Sequence, residues 1–282
     1  MAINSTTITK DLFGGKIDFV IYKYQQDDVR RIIEEVYAEG LRLQKIFNIY
    51  NPKSELSELN KLRKKEVSDE LLTVIKNAIK FSELTSGSYD VSLGKFILLR
   101  KQGKNMIPTC SYKDIHVNAN EVVLSHPDVL IDLGSIAKGY ITDRLADLLQ
   151  KKGLKEFMID ARGDICVKGK QIHVLGVENP RKDSSIFSIK IQNEAVATSG
   201  DYNQYVGDFE NSHIINQNDA TSITVVAPTL EEADVYATAL FTCSENQQKS
   251  IIKDNKQIKV LIVKNSNILK MFNNFENILY ES

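Results

Sequence analysis

The segment VLIDLGSIAKGYITDRLADLLQKK, Val129 to Lys152, narrows the fold more than any other stretch of the chain. Its first part, Val129 to Ser135, is almost wholly apolar and reads as a buried strand, because a strand open to water on one face would alternate. It runs through Gly134 directly into an amphipathic helix expected over Ile136 to Lys152. A strand feeding a helix across so short a turn aims the free N–H groups and the positive helix end at one place, which suits a phosphate. Small residues permit close approach, Lys138 adds charge, and Ser135 is placed to cap. A capped helix with packing glycines accounts for the same letters. Ser135-Ile136-Ala137-Lys138 also matches the S-x-x-K of penicillin-recognising acyltransferases, but the S-D-N and K-T-G tripeptides that complete that chemistry do not occur.

Around this segment, short strands mix with amphipathic helices. KIDFVIYKY (Lys16 to Tyr24) alternates and reads as a half-buried strand. A helix follows from about Asp27 to Phe47, with Val29, Ile32, Ile33, Val36, Leu43 and Ile46 on one face. NPKSE, with Pro52, reads as a turn, and KLRKK (Lys61 to Lys65) as a solvated loop. A helix over Asp69 to Thr85 ends at Ser86-Gly87, and a loop-rich middle separates it from Val129. In the second half FMIDA, QIHVLGV, FSIKI, EAVATS and SITVVA read as strands. Helices at Glu231 to Thr242 and near Asn246 to Asp254 come next, then a strand at Lys259 to Val263. No Gly/Ser- or Pro-rich linker divides the 282 residues. The expectation is α+β: one interwoven domain over residues 1–282, of mixed, mainly antiparallel sheets with packed helices. Two similar halves, a T-fold-like arrangement, are an open variant of it.

Charge enters as an exclusion. With 36 Lys+Arg against 37 Asp+Glu, the net charge of −1 lacks the basic excess of a nucleic-acid binder. No apolar run is long enough for a membrane span. The start, MAINSTTITKDLFGG, has no basic-then-apolar leader, so a cytoplasmic setting is expected. Three cysteines without a C-x-x-C pair, and four histidines without i, i+4 spacing, suggest neither a disulfide framework nor zinc.

Two further segments carry candidate chemistry. In TLEEADVYATALFT, Thr229 with Glu232 reads as a capping box, and Asp234 and Thr238, four apart, share a helix face. Their apolar neighbours imply burial, and a buried carboxylate needs a partner. Two hard oxygens suit Mg²⁺, which keeps sites open for substrate phosphate. The alternative is Asp234 favoured by the helix end and Thr238 bonded to its own i−4 carbonyl. In SGDYNQYVGDFENSHIIN, His213 stands at a loop-to-strand junction as a candidate general base, although a lone histidine is more often structural. Tyr89-Asp90 and Asp164 are junction residues of the kind that hold a ligand.

In order along the chain, FGG (Phe13), YNPKSELSELN (Tyr50 to Asn60), GSYDVSLG (Gly87 to Gly94), DLGSIAKGY (Asp132 to Tyr140) and ARGDI (Ala161 to Ile165) form a series. GVENPR (Gly176 to Arg181), AVATSGDY (Ala195 to Tyr202), SHII (Ser212 to Ile215) and EADVYAT (Glu232 to Thr238) complete it. Together they resemble the FAD:protein FMN transferase family, the ApbE-type flavin transferases, collinearly from Phe13 to about Val263. The resemblance implies movement of the FMN half of FAD onto a Thr or Ser hydroxyl of an acceptor flavoprotein, releasing AMP. It implies Mg²⁺ on Asp234, Thr238 and the Ala137 carbonyl. It places FAD against Phe13, Tyr50, Ser88, Tyr89, Asp90, Gly134, Tyr140 and Ile215, with Tyr50 and Tyr89 offering ring faces. It makes His213 the base for the acceptor hydroxyl.

The sequence departs from the family pattern at three places. Ser135 stands for a glycine, Arg162 gives R-G-D for G-G-D, and HIINQNDA replaces the H-I-x-D-P-x-T-G continuation. The same site with water as acceptor would be an FAD pyrophosphatase, and without catalysis a flavin-binding protein. The expected partners are FAD and a soluble acceptor, with no nucleic acid and no membrane.

Overall fold

The computed structural model describes residues 5–24, 26–181, 184–201, 218–265 and 268–280. In chain order the first half contains β1 (Ser5–Leu12), β2 (Gly15–Tyr22), α1 (Gln26–Phe47), α2 (Glu55–Leu62), β3 (Lys64–Glu66), α3 (Asp69–Leu84), α4 (Gly94–Lys101), β4 (Ile115–Asn118), β5 (Glu121–Leu124) and α5 (Gly134–Lys151). The second half contains β6 (Phe157–Ala161), β7 (Asp164–Lys168), β8 (His173–Glu178), β9 (Ser185–Ile191), β10 (Ala195–Gly200), β11 (Ala220–Ala227), α6 (Leu230–Thr242), α7 (Glu245–Asp254), β12 (Lys259–Lys264), β13 (Leu269–Phe272) and β14 (Leu279–Tyr280). Among the described residues no helix is long and apolar enough to cross a membrane.

The architecture is α+β, as the sequence implies. Eight strands pair in the order β1-β2-β6-β7-β10-β11-β12-β13, and every ladder in that sheet is antiparallel. Three-stranded sheets β14-β9-β8 and β3-β5-β4 accompany it. Helices α1, α5 and α6 cover one face of the large sheet, while β8, β9 and β14 lie over part of the other. Alternate residues of the central strands therefore enter different cores: Val225 and Ile262 face the helices, Val226 and Leu261 the small sheet. Covered on both sides, β11 buries all its residues, which is why SITVVA reads as a continuous apolar run.

The opening segment behaves differently from the expectation. Val129 to Leu133 belongs to no sheet; it is extended, with one parallel bridge between Leu130 and Leu93. Most of its polar groups are met by residues 91–94 and by the side chains of Asn60 and Arg63. Leu130 N–H donates to the Ser92 carbonyl (3.0 Å), Asp132 N–H to Val91 (2.9 Å), and Gly94 N–H to Leu130 (2.9 Å). The Asn60 amide clamps Ile131 from both ends, accepting from its N–H (2.8 Å) and donating to its carbonyl (2.9 Å). Val129, Ile131 and Leu133 are buried while Leu130 and Asp132 are half-buried, and a side-chain amide stands where a neighbouring strand would.

Asn60 lies on α2, a helix of eight residues where only a turn is expected. Two turns are too short for helical periodicity to declare itself. Ser54 caps it, accepting from Ser57 N–H at 3.0 Å. Nor is KLRKK a solvated loop throughout. Arg63, in left-handed conformation (φ 67°), donates to the carbonyls of Val129 (2.5 Å), Leu124 (3.3 Å) and His126, and Lys64 to Glu66 forms β3. The loop-rich middle likewise holds α4, β4 and β5. Asn60→Ala leaves the N–H and carbonyl of fully buried Ile131 unpaired, at a cost of about 1–3 kcal/mol for each group. Urea denaturation should show the midpoint falling with the slope unchanged; an unaltered midpoint would mean the clamp holds nothing.

Candidate active site

The site forms where α5 and α6 cross in front of β7 and β10. Gly139 permits the crossing: a Cβ there would stand 2.6 Å from the Leu230 carbonyl oxygen and 2.7 Å from the Glu231 backbone. Two further contacts join the helices. Asp143 on α5 accepts from the Leu230 N–H (2.9 Å) and the Glu231 N–H (2.8 Å). The expected capping box of α6 is half made, for Thr229 Oγ1 accepts from Glu232 N–H at 3.2 Å. The reciprocal bond is absent, because the Glu232 carboxylate lies in the field of Lys80 and its Oε2 has no partner among the described residues.

Asp234 is thus carried into the crossing and is 7% exposed. Its Oδ2 is buried and has no hydrogen-bond partner among the described residues. Burial pushes its carboxyl up to about 7, against the opposing pull of Lys138. Thr238, one turn on, shares a hydrogen bond with Ser199 Oγ at 3.3 Å rather than with its own i−4 carbonyl. Lys138 pairs with Asp164 Oδ2, and Asp164 Oδ1 accepts from Thr198 N–H (3.3 Å). Burial alone would lower the Lys138 ammonium; Asp234 and Asp164 outweigh it and raise it. Lys138 therefore balances two carboxylates. A buried carboxylate oxygen without a proton donor, beside a threonine hydroxyl one turn away, is a hard-oxygen set that fits a divalent cation.

At the start of α5 the N-cap is Leu133, with no side-chain cap bond. Ser135, expected to cap, lies inside the first turn and donates to the Tyr89 hydroxyl at 3.3 Å. Gly134 is exposed, its N–H donating to Asp132 Oδ1 at 2.9 Å. Ser88 and Tyr89 are drawn to the same place, since Thr242 of α6 donates to the Ser88 carbonyl at 2.8 Å. Ser88 Oγ is buried without a partner among the described residues.

Other expected contacts sit differently. Tyr89 is only 2% exposed, so the ring face assigned to it is covered by core side chains, and burial raises its phenol well above the ordinary value. Tyr140 is also buried, edge-on to Phe47 at 5.8 Å. Tyr50 does offer a ring: it is 68% exposed, and Lys101 Nζ reaches its hydroxyl at 3.4 Å. Asp90 is spent on its own loop, accepting from Ser92 N–H (2.9 Å), Ser92 Oγ (2.6 Å) and Tyr112 N–H (2.9 Å). Phe13 and Gly14, both at positive φ, turn β1 into β2 beside the Arg162-Gly163 turn between β6 and β7. Arg162 Nη1 donates to the Phe13 carbonyl at 2.8 Å, so this departure from the family motif joins two hairpin tips. His213 and Ile215 lie outside the described residues.

The acidic groups at the start of α6 make a pH signature. Burial pushes Glu231 up to about 7, partly offset by the Asn77 amide (2.8 Å). The folded state then holds this proton to higher pH than the unfolded chain, where the group titrates near 4.5, so stability falls as pH rises from there towards about 7. Glu231→Gln removes that penalty. Its melting temperature relative to the parent should climb between about pH 5 and about pH 8; a difference independent of pH would contradict the burial cause.

A sequence model described as the ApbE family matches residues 13–262, from the Phe13 hairpin to β12. An FAD:protein FMN transferase of Vibrio cholerae serotype O1 is 30% identical over 285 residues, covering 89% of this chain and 82% of that protein. One from Haemophilus influenzae is 27% identical over 308 residues, covering 94% and 85%. Among solved structures, the ApbE protein of Thermotoga maritima superposes with a TM-score of 0.87 at 25% identity, over 99% of this chain and 100% of that one. The flavin transferase ApbE of Vibrio cholerae superposes with a TM-score of 0.84 at 24% identity, over 98% and 100%, and so shares the fold. A match running through both hairpin tips, the α5–α6 crossing and the Asp234 helix means that the chain belongs to the ApbE family.

Proposed function

We propose that this protein transfers the FMN moiety of FAD to a Thr or Ser hydroxyl of an acceptor flavoprotein, releasing AMP, in a reaction that depends on Mg²⁺. The observation that carries the reading is the buried Asp234 Oδ2 at the α5–α6 crossing, without a hydrogen-bond partner among the described residues, in a member of the ApbE family. Asp234, Thr238 and the Ala137 carbonyl would hold the cation. A cation held there would supply charge neutralisation for cleavage of a pyrophosphate.

The chain's own groups do the rest. The positive end of α5 faces the phosphate groups, while the Gly134 N–H is already held by Asp132 Oδ1. Lys138, committed to Asp164, keeps two neighbouring carboxylates tolerable rather than reaching for substrate. The exposed ring of Tyr50 offers a stacking face for a flavin or adenine ring. Phe13, Ser88, Tyr89, Asp90, Tyr140 and Ile215 complete the proposed FAD surroundings, with Tyr89, Asp90 and Tyr140 acting by shaping the walls. His213 takes the proton of the acceptor hydroxyl, whose oxygen bonds to the FMN phosphorus as the bond to AMP breaks.

Residues 1–282 act as one domain in this reading, supported by a hydrophobic core running from Leu12 to Ile262. A cytoplasmic acceptor belongs to the same proposal, supported by three unpaired cysteines, which a reducing compartment keeps so. The test is incubation of the protein with FAD, Mg²⁺ and an acceptor domain carrying the target hydroxyl. Flavin that stays on the acceptor through denaturation, lost when EDTA replaces Mg²⁺, is the expected result. Free FMN without adduct would mean hydrolysis, and unchanged FAD would mean binding alone.

A further inference from the structure

The residues that would hold the cation come from two helices, Ala137 from α5 and Asp234 with Thr238 from α6. Their separation depends on how the helices are locked, and the lock has few parts. All four N–H groups of the first turn of α6 are satisfied. Thr229, just before the helix, takes two of them: its hydroxyl accepts from Glu232 (3.2 Å) and its carbonyl from Ala233 (3.1 Å). The other two, Leu230 and Glu231, are taken by the two oxygens of Asp143. An ordinary cap precedes its own helix. Asp143 instead sits in the middle of α5, on the far side of Gly139 from Ala137. Its planar carboxylate, gripping two successive N–H groups, fixes α6 in height and in rotation, while Gly139 fixes the distance of approach. Asp234 follows Leu230 by four residues, one turn beyond the grip.

We infer that Asp143 is a positioning residue: its two-oxygen grip on the start of α6 holds Asp234 and Thr238 against the Ala137 carbonyl as a divalent-cation site. The inference rests on the proposed metal reading. It separates the two supports of α6, for the Thr229 hydrogen bonds stay at the start of α6, whereas Asp143 ties one helix to the other. The negative charge also suits the helix N-terminus it faces.

The probe is Mn²⁺, titrated into the full chain and followed by the electron paramagnetic resonance of the free ion, without FAD or acceptor. Asp143→Asn keeps one acceptor oxygen and sets an amide group against the other N–H. It should weaken Mn²⁺ binding roughly 10–100-fold, the range found when residues that orient metal ligands are changed. Thr229→Ala should lower the melting temperature and leave Mn²⁺ affinity at the parental value. Unchanged affinity in Asp143→Asn, or an equal loss in Thr229→Ala, would overturn the inference. Asp234→Ala separates the two levels: if it still binds Mn²⁺ like the parent, the metal reading itself fails. If it loses binding while Asp143→Asn does not, only the positioning role fails. Should Asp143→Asn not fold, Asp143→Glu keeps both acceptors one methylene farther out; weaker Mn²⁺ binding supports the inference and parental affinity overturns it.

Discussion

Asp234→Ala abolishes Mg²⁺-dependent turnover of FAD and leaves the protein folded. The side chain is buried at the α5–α6 crossing, and its Oδ2 has no hydrogen-bond partner among the described residues. Truncation breaks its ties to the Gly139 backbone and to the Lys138 charge, and no hydrogen bond of Oδ2 among the described residues. Burial holds its carboxyl up at about 7, which means that carrying the charge costs free energy in the metal-free protein. Charge stabilisation by a metal ion is worth several kcal/mol, so its loss should slow turnover by about 10³-fold or more. The circular dichroism spectrum should match the parent's. Unchanged activity at saturating FAD would sink the metal assignment, and loss of the spectrum would make Asp234 structural.

The second large effect is expected at His213. His213→Ala should slow transfer to the acceptor by roughly 10²–10⁴-fold, the usual worth of a general base, while FAD binding changes little. The two quantities are separable. FAD affinity is read from quenching of flavin fluorescence on binding, and transfer from the rate at which acceptor acquires flavin. A parallel loss of both would make His213 a ligand contact. This expectation comes from the sequence, where His213 is the second residue of the SHII landmark and lies outside the described residues.

Legibility in the sequence followed the range of the interactions involved. Helices α1, α3, α5, α6 and α7 announce themselves through apolar spacing, α6 also through its Thr229 cap, and β11 through its doubly covered run. Those are short-range properties. The Val129–Leu133 segment misleads because burial, not strand pairing, makes a run apolar, and its partner Asn60 stands far away in sequence. Helix α2 and strands β4 and β5 are too short for a period to accumulate.

At the site, Asp234 and Thr238 were readable from helical spacing, and the burial of Asp234 from apolar neighbours, while Thr238 is half-buried. The Lys138–Asp164 pair and the Asp143 grip were not, since each joins residues from different elements. For Asp143 one clue exists: an acidic residue on the face of a helix that also carries Gly139 is well placed to cap a second helix crossing there. Tyr89 shows the opposite limit. An aromatic residue within a motif suggests stacking, yet only the fold decides that its ring is covered and its hydroxyl alone meets Ser135.

The central claim is group transfer at the α5–α6 crossing, and intact-mass spectrometry of the acceptor tests it most directly. After incubation with this protein, FAD and Mg²⁺, the acceptor should gain the mass of one FMN less one water, with one AMP released per adduct. The gain should disappear when the target Thr or Ser of the acceptor is replaced by alanine. An acceptor of unchanged mass, with FAD converted to free FMN and AMP, would contradict the account.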